Sequence, residues 1–178
     1  MNRTHMITVA GHNLWLPIRR VSADTSVAYF NIRGKWVLTE ACGKALARHI
    51  PYGIDAIVMA EGKAEALLHV VGREVGTETI IATKKKKVTM LEPVLSVPSE
   101  SITSGVQELF LDAEDAEHLR GKKVAFLDDV YSTGGTYKAM KALCDQLGAE
   151  IKYTVVILTE GEERSDVISL GHIPLYKD

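Results

Sequence analysis

The residues with the clearest potential for chemistry are two adjacent acids, Asp128 and Asp129, and a Thr-Gly-Gly-Thr segment at 133–136, three residues further on. The glycines lack side chains, so backbone N–H groups can converge there. A helix beginning at this point adds free N–H groups and the positive end of its dipole, which together bind phosphate. Two carboxylates would repel the same phosphate unless the ligand also carries hydroxyl groups that donate to them. A sugar phosphate meets both conditions.

The elements around these residues agree with such a site. An apolar strand, Val124–Leu127, precedes the acids, and an amphipathic helix from Thr136 to Leu147 follows them. Ligands of open α/β sheets bind beyond the carboxyl ends of the strands, where these acids fall. A lone Thr-Gly-Gly-Thr would be explained as well by a solvated turn with an ordinary helix cap, but the ordered combination is far more specific. Because no Gly-Lys-Ser/Thr follows, a nucleoside triphosphatase loop is not predicted.

The rest of the chain alternates strands and helices. Strands are predicted at 54–60, 78–83 and 153–158, and a helix at 63–75. Because these strands are apolar without alternation, they predict a parallel sheet with helices on both faces. An earlier helix is predicted to begin with Thr39 as its N-cap, and the short runs before it predict a small antiparallel unit. We expect one domain over residues 1–178.

Composition excludes several functions. A net charge of −2 and a pI of about 6.3 give no basic field, so no nucleic-acid partner is expected. No apolar run is long enough for a membrane span, and the N-terminus lacks a secretory h-region, so a cytoplasmic location is expected. Cys42 and Cys144 are predicted to be buried reduced thiols without a partner histidine, which excludes a cysteine hydrolase. The six histidines show no zinc-binding spacing.

Residues 124–136 resemble the phosphoribosyl-pyrophosphate-binding motif of the type I phosphoribosyltransferases, nearest the adenine and xanthine branch. The resemblance extends loosely over about residues 37–160. It implies a parallel sheet flanked by helices, with a small variable hood formed by residues 1–36 and 160–178. It also implies a homodimeric enzyme that uses Mg²⁺ and transfers 5-phosphoribosyl from phosphoribosyl pyrophosphate to a nucleobase, a purine, with release of pyrophosphate.

The resemblance assigns roles to individual residues. Asp128 and Asp129 are implied to hold the ribose hydroxyls and to share the Mg²⁺ with the substrate, with no metal held by the protein alone. The 5′-phosphate loop is implied to consist of Val130, Tyr131, Ser132, Thr133, Gly134, Gly135 and Thr136.

Two further segments are implied to hold pyrophosphate. The first is the loop Glu61, Gly62 and Lys63, although family members usually have an acid or serine, then Arg and Gly, and a plain helix N-terminus explains the segment equally well. The second is the run of four lysines at 84–87, in which Lys84 and Lys87 align with cations that stabilise the leaving group. A solvated charged face is an equally good interpretation of this run.

The remaining expectations concern the loop and the base. Residues 84–112 are predicted to be a mobile catalytic loop, with a β-hairpin arm as one possible form. Thr103 stands where adenine-type members carry glutamate, so a 6-oxopurine is expected over adenine. Residues 160–164 could line the base pocket, but an exposed acidic turn is favoured. The alternative function is a non-catalytic, phosphoribosyl-pyrophosphate-sensing regulator of the same fold.

Overall fold

The structure, a computed structural model, describes residues 3–101 and 105–177. Thr103 and its role in base preference therefore lie outside the described residues. In chain order the elements are β1 (Thr4–Val9), β2 (His12–Arg20), β3 (Thr25–Ala28), α1 (Trp36–Ala47), β4 (Ala56–Ala60), α2 (Glu65–Val75), β5 (Glu78–Ala82), β6 (Leu95–Ser101), β7 (Gly105–Leu111), α3 (Ala113–Leu119), β8 (Lys123–Tyr131), α4 (Gly135–Gln146), β9 (Glu150–Glu160), β10 (Ile168–Ile173) and β11 (Leu175–Lys177).

The central sheet has five parallel strands in the order β10-β9-β8-β4-β5, which confirms the predicted parallel α/β class. From β4 the chain moves outward to β5, then returns to place β8 on the other side of β4. The order therefore reverses between β4 and β8, and the carboxyl ends of these strands diverge into a crevice. Such a switch point is where open α/β sheets bind ligands.

Each face of the sheet has its own hydrophobic core. On one face α1 and α2 pack together with the hood over side chains such as Ile57, Leu127 and Ile157. On the other face α4, α3 and the β6–β7 hairpin cover side chains such as Val58 and Phe126. All five residues of β4 are buried. Burial on both faces explains why these strands are apolar without alternation.

The predicted hood is a four-stranded antiparallel sheet in the order β1-β2-β3-β11. It packs closely on the parallel sheet at Gly171 of β10, where a Cβ would lie 3.1 Å from Ile7 and 3.1 Å from Leu158. The tail that was expected to belong wholly to the hood is divided. β10 adds the fifth strand to the parallel sheet, because it pairs with β9, and β11 alone joins the hood.

Two predicted boundaries were wrong. Helix α1 begins at Trp36, so Thr39 is not its N-cap: its hydroxyl lies inside the first turn and donates to the Lys35 carbonyl at 2.9 Å. Strand β8 does not end at Leu127 but continues to Tyr131, because the residues after the acids keep pairing with β9. The acid pair therefore lies within a strand, and the hydrogen bonds between β8 and β9 hold the backbone on both sides of it.

The segment expected to be a mobile loop contains the hairpin alternative. β6 and β7 pair antiparallel, from Leu95 opposite Leu111 to Ser101 opposite Gly105. Thr83 forms an isolated bridge with Phe110. Val97, Leu109 and Leu111 are buried in the core beneath α4. The base of the arm is thus anchored by apolar burial, and its mobility remains a prediction. Within the described ranges, no helix is long and apolar enough to cross a bilayer.

Gly43 should be required for the contact between α1 and α2. A Cβ at this position would lie 2.8 Å from Val70 Cβ and still closer to a methyl group of the same side chain. Gly43→Ala should therefore lower the free energy of unfolding by about 1–3 kcal/mol, although alanine is the better helix former. Urea denaturation measures the change, with Lys44→Ala, an exposed neighbour, as control. A Gly43→Ala variant as stable as the parent would contradict this packing.

Candidate active site

A cavity of about 390 Å³ opens at the carboxyl ends of β4, β8 and β9, beneath the hood. It gathers the predicted acid pair, the phosphate loop and the loop after β4 in one place. Its lining includes Tyr29, Phe30 and Arg33 from the hood, Glu61, Gly62 and Lys63 after β4, Lys84 after β5, Asp128, Asp129 and residues 130–136 at the end of β8, and Glu160 at the end of β9.

The phosphate loop turns at Gly134, which is the N-cap of α4 and has a φ of 77°. A side chain there would be strained by the left-handed backbone and would collide with the Tyr131 ring, whose Cζ would lie 2.8 Å from the new Cβ. The ring of Tyr131 is buried under the loop, where Arg164 stacks on it at 5.1 Å. Tyr131 thus supports the loop from below, and the free N–H groups of α4 face the cavity.

The hydroxyl of Ser132 adds a polar atom to this loop. Its Oγ is buried and makes no hydrogen bond of ordinary geometry with the described residues, although it lies close enough to the Glu160 carboxyl to stabilise its charged form. Buried polar atoms nearly always have a partner, so one that faces a cavity indicates a ligand or a bound water. The loop therefore offers a helix N-terminus, a left-handed glycine and an unsatisfied hydroxyl to the same volume, and this combination suits a phosphate group.

The two acids have different surroundings. Asp129 is buried, and its Oδ2 lies 3.1 Å from Lys63 Nζ without the geometry of a hydrogen bond. Asp128 is half-buried, and its Oδ1 accepts a hydrogen bond of 2.8 Å from the Asp129 N–H. Burial and the neighbouring Asp129 charge raise the pKa of Asp128 well above the ordinary value, and the Lys84 ammonium opposes this rise only in part. The free protein thus holds two carboxyl groups that destabilise each other's charge.

The predicted pyrophosphate segments contact each other through Glu61. Its carboxylate accepts from the Lys84 N–H at 2.9 Å and pairs with Lys87 Nζ at 3.8 Å. Glu61 N–H also donates to the Ala82 carbonyl at 2.8 Å, which ties the ends of β4 and β5. Lys84 lines the cavity, whereas Lys87 is half exposed further out on the rim. Glu61 therefore positions the lysine segment, since a carboxylate would itself repel pyrophosphate.

Lys63 extends away from the lysine segment and towards the hood. Its ammonium donates to the Phe30 carbonyl at 2.8 Å, approaches Asp129, and lies 5.4 Å from the centre of the Tyr29 ring. The side chain therefore links the hood to the acid pair. The expectation that residues 61–63 hold pyrophosphate remains a prediction, and the Lys63 side chain contacts the hood and Asp129 instead.

Glu160 is a site residue that the sequence analysis did not favour. It lies at the end of β9, is 8 % exposed and lines the cavity, whereas Glu162 and Glu163 form the exposed turn that was expected. Burial raises the pKa of Glu160, and the nearby Ser132 hydroxyl and Lys63 ammonium oppose that rise. The available signal was its position: it directly ends an apolar strand next to the one that carries the acid pair.

The two cysteines are buried and unpaired, as predicted, and lie apart from the cavity lining. Burial raises the pKa of both thiols to about 11. Neither is therefore an activated nucleophile. In the part of the chain that the structure describes, no group of three or more His, Cys, Asp or Glu side chains is arranged to hold a metal ion.

A parallel α/β sheet with a cavity at its switch point is shared by many ligand-binding proteins, so the family is identified by comparison with known proteins. The chain matches no protein-family model. It is 30 % identical over 138 residues to the xanthine phosphoribosyltransferase of Deinococcus deserti, covering 75 % of this chain and 70 % of that protein. It is 31 % identical over 136 residues to the adenine phosphoribosyltransferase of Corynebacterium jeikeium, covering 74 % of this chain and 62 % of that protein.

The fold agrees with these matches. The crystal structure of the adenine phosphoribosyltransferase from Thermoanaerobacter pseudethanolicus has a TM-score of 0.64 to this chain at 21 % identity, covering 77 % of this chain and 81 % of the other. The chain belongs to the type I phosphoribosyltransferase family, in its purine branch. The relatives are named for different bases, so membership alone does not identify the base.

The left-handed glycine of the phosphate loop provides a direct test of the site. Gly134→Ala should weaken the binding of ribose 5-phosphate at least tenfold, roughly the loss of one good charge-assisted contact, because the loop must move to avoid Tyr131. Titration calorimetry measures the affinity. Gly148→Ala is the matched control, since Gly148 has a φ of 65° at the other end of α4 but open space around it. If Gly134→Ala binds like the parent, this loop is not the phosphate anchor.

The acid pair should also lower stability. Asp128→Asn keeps the hydrogen bond from the Asp129 N–H but removes a charge that burial and Asp129 disfavour. At neutral pH the variant should gain on the order of 1 kcal/mol in the free energy of unfolding, or about 2–4 °C in Tm. Because the pKa of Asp128 is raised in the folded protein, the parent loses stability as pH rises through that pKa. The gain should therefore vanish below about pH 3.9, where both states bind the proton.

Thermal unfolding across this pH range gives the comparison. Asp129→Asn is the control, and it should show no gain, because Asp129 faces the Lys63 ammonium at 3.1 Å. A parent more stable than Asp128→Asn at neutral pH would contradict the repulsion between the two acids.

Proposed function

We propose that this protein is a purine phosphoribosyltransferase that transfers the 5-phosphoribosyl group of phosphoribosyl pyrophosphate to a nucleobase in purine salvage. The observation that supports this most strongly is the placement of an acid pair beside a phosphate cradle in one cavity. Two buried atoms there, Asp129 Oδ2 and Ser132 Oγ, make no hydrogen bond of ordinary geometry with the described residues, although Lys63 and Glu160 respectively lie close to them. Hydroxyl groups of a ribose would donate to the acids, and the 5′-phosphate would accept from Ser132 and the N-terminus of α4.

The substrate would lie across the switch point. Residues 130–136 would hold the 5′-phosphate, and Asp128 and Asp129 the ribose hydroxyls. Lys84 would face the pyrophosphate together with the backbone of residues 61–63, and Lys87 would reinforce the rim. The predicted mobile loop at 84–112 would close over the substrates and exclude water from the reacting sugar carbon.

The reaction needs positioning and charge stabilisation more than a protein nucleophile. The bond from ribose C1 to the pyrophosphate oxygen breaks as a base nitrogen attacks C1 from the opposite face. The bond's electron pair leaves with the pyrophosphate, and the base loses its nitrogen proton to solvent or pyrophosphate. Lys84 would stabilise the negative charge on the leaving oxygen. The negative charge of the acid pair would stabilise the positive charge that develops on the ribose.

The residues present also suit Mg²⁺. Asp128 and Asp129 offer carboxylate oxygens, the ligands that Mg²⁺ prefers, and the substrate's own oxygens would complete the coordination. When bound, the ion would neutralise charge on the leaving pyrophosphate. Burial and the neighbouring Asp129 raise the pKa of Asp128. A cation beside Asp128 would lower that pKa, because it favours the charged carboxylate.

We further propose a cytoplasmic homodimer. Met6 and Trp15 lie opposite each other on β1 and β2 of the hood and are 56 % and 65 % exposed. Paired exposed apolar side chains of this size support an association surface, for which a second copy of the chain is the proposed partner. Sedimentation of the parent and of a Trp15→Ser variant measures the assembly.

Release of pyrophosphate from phosphoribosyl pyrophosphate with Mg²⁺ and a panel of purine bases tests the activity. We expect base-dependent release in the parent. Asp128→Asn combined with Asp129→Asn should remove detectable binding of phosphoribosyl pyrophosphate and leave the fold intact, because both acids line the cavity and neither belongs to a hydrophobic core. The circular dichroism spectrum and cooperative unfolding serve as the control for folding.

The same assay separates the enzyme from the regulator. A parent that binds phosphoribosyl pyrophosphate but releases no pyrophosphate with any base would favour the regulator and contradict the transferase. A double variant that binds as tightly as the parent would contradict the role of the acid pair. The enzyme names of the relatives favour the transferase.

A further inference from the structure

Three charged side chains in the cavity, Arg33 of the hood, Lys63 and Glu160, belong to neither the phosphate cradle nor the lysine segment. Lys63 lies in the loop between β4 and α2, and Glu160 lies at the end of β9; both side chains line the cavity. Both belong to the described part of the chain, and no ion pair joins them, although the Lys63 ammonium acts on the Glu160 carboxyl electrostatically. Because this buried carboxylate and the nearby ammonium do not form an ion pair, a ligand that carries complementary groups could bind between them.

Lys63 is held between the hood and the acid pair. One N–H of its ammonium donates to the Phe30 carbonyl, and a second faces Asp129. An ammonium has three N–H groups, so one remains to donate to a ligand. The side chain is 30 % exposed, so this part of it is open to the cavity. These two contacts fix the position of the donor.

Glu160 has no evident role in binding phosphate. It is buried beside the Ser132 loop, where a carboxylate would repel the 5′-phosphate and the pyrophosphate alike. A buried acceptor is stabilised by a ligand N–H group, and a carboxylate has two oxygens that can accept from two adjacent N–H groups at once. The charge and the place of Glu160 therefore suit the polar edge of a nucleobase.

We propose that Lys63 and Glu160 read the nucleobase, with Lys63 donating to a ring carbonyl oxygen and Glu160 accepting from the two N–H groups beside it, so that guanine is the preferred purine. This inference rests on the proposed function. Guanine presents one carbonyl acceptor followed by two donors, which matches one ammonium and one carboxylate. Hypoxanthine lacks the second donor, xanthine places a second carbonyl against the carboxylate, and adenine has no carbonyl.

Values of kcat/KM for guanine, hypoxanthine, xanthine and adenine test the proposal. The parent should use guanine at least about tenfold better than xanthine, because xanthine leaves Glu160 facing an acceptor. Glu160→Gln should reduce that ratio to a few-fold, since an amide can donate to the second carbonyl. Lys63→Met should lower kcat/KM for the three oxopurines more than for adenine. Glu162→Gln, which removes an exposed carboxylate two residues away, is the matched control and should leave the ratio unchanged.

Dissociation constants for guanosine and xanthosine 5′-monophosphate provide a readout that does not require turnover. The two nucleotides share ribose and phosphate, so their ratio reports the base contacts alone. If the parent prefers guanosine monophosphate but catalyses no transfer, the proposed function fails and the base assignment stands. A parent that prefers xanthine, or a Glu160→Gln variant that weakens all four bases equally, would overturn the assignment while the transferase stands.

Discussion

The electrostatic conflict between Asp128 and Asp129 is the constraint on which the site depends. Two adjacent carboxyl groups are held at the end of a buried strand, where burial and proximity raise the pKa of Asp128. Keeping two such carboxyl groups together lowers the stability of the folded protein. Under the proposed function, ribose hydroxyl groups and a cation entering the site would relieve this conflict, so the arrangement would favour the bound ligand over the empty site.

The rest of the architecture holds this pair in place. The β8 ladder extends past the acids to Tyr131, which fixes their backbones, and Tyr131 in turn supports the left-handed turn at Gly134. Glu61 ties the lysine segment to the end of β4, and Lys63 joins the hood to Asp129. Each of these contacts connects a different element of the fold to the same cavity.

Much of this could be predicted from sequence because the relevant signals are local. Apolar strands, helix periodicity and the Thr-Gly-Gly-Thr turn depend on neighbouring residues, so the parallel sheet and the glycine turn that begins α4 could be predicted. The end of β8 was missed because pairing with β9, a tertiary contact, extends the strand through Asp128 and Asp129. The contact of Lys63 with Phe30 and the approach of Lys63 to Glu160 were missed for the same reason, because residues so far apart in the chain meet only in the fold.

The most direct test of the account is a carboxyl-carbon NMR titration of Asp128 in the free protein and in its complex with Mg²⁺ and phosphoribosyl pyrophosphate. The account predicts a midpoint above the ordinary aspartate value of about 3.9 in the free protein. It also predicts a fall on binding, because the ribose hydroxyls and the cation favour the charged form, so affinity rises with pH through the free midpoint. An ordinary midpoint in the free protein that does not move on addition of the substrate would contradict it.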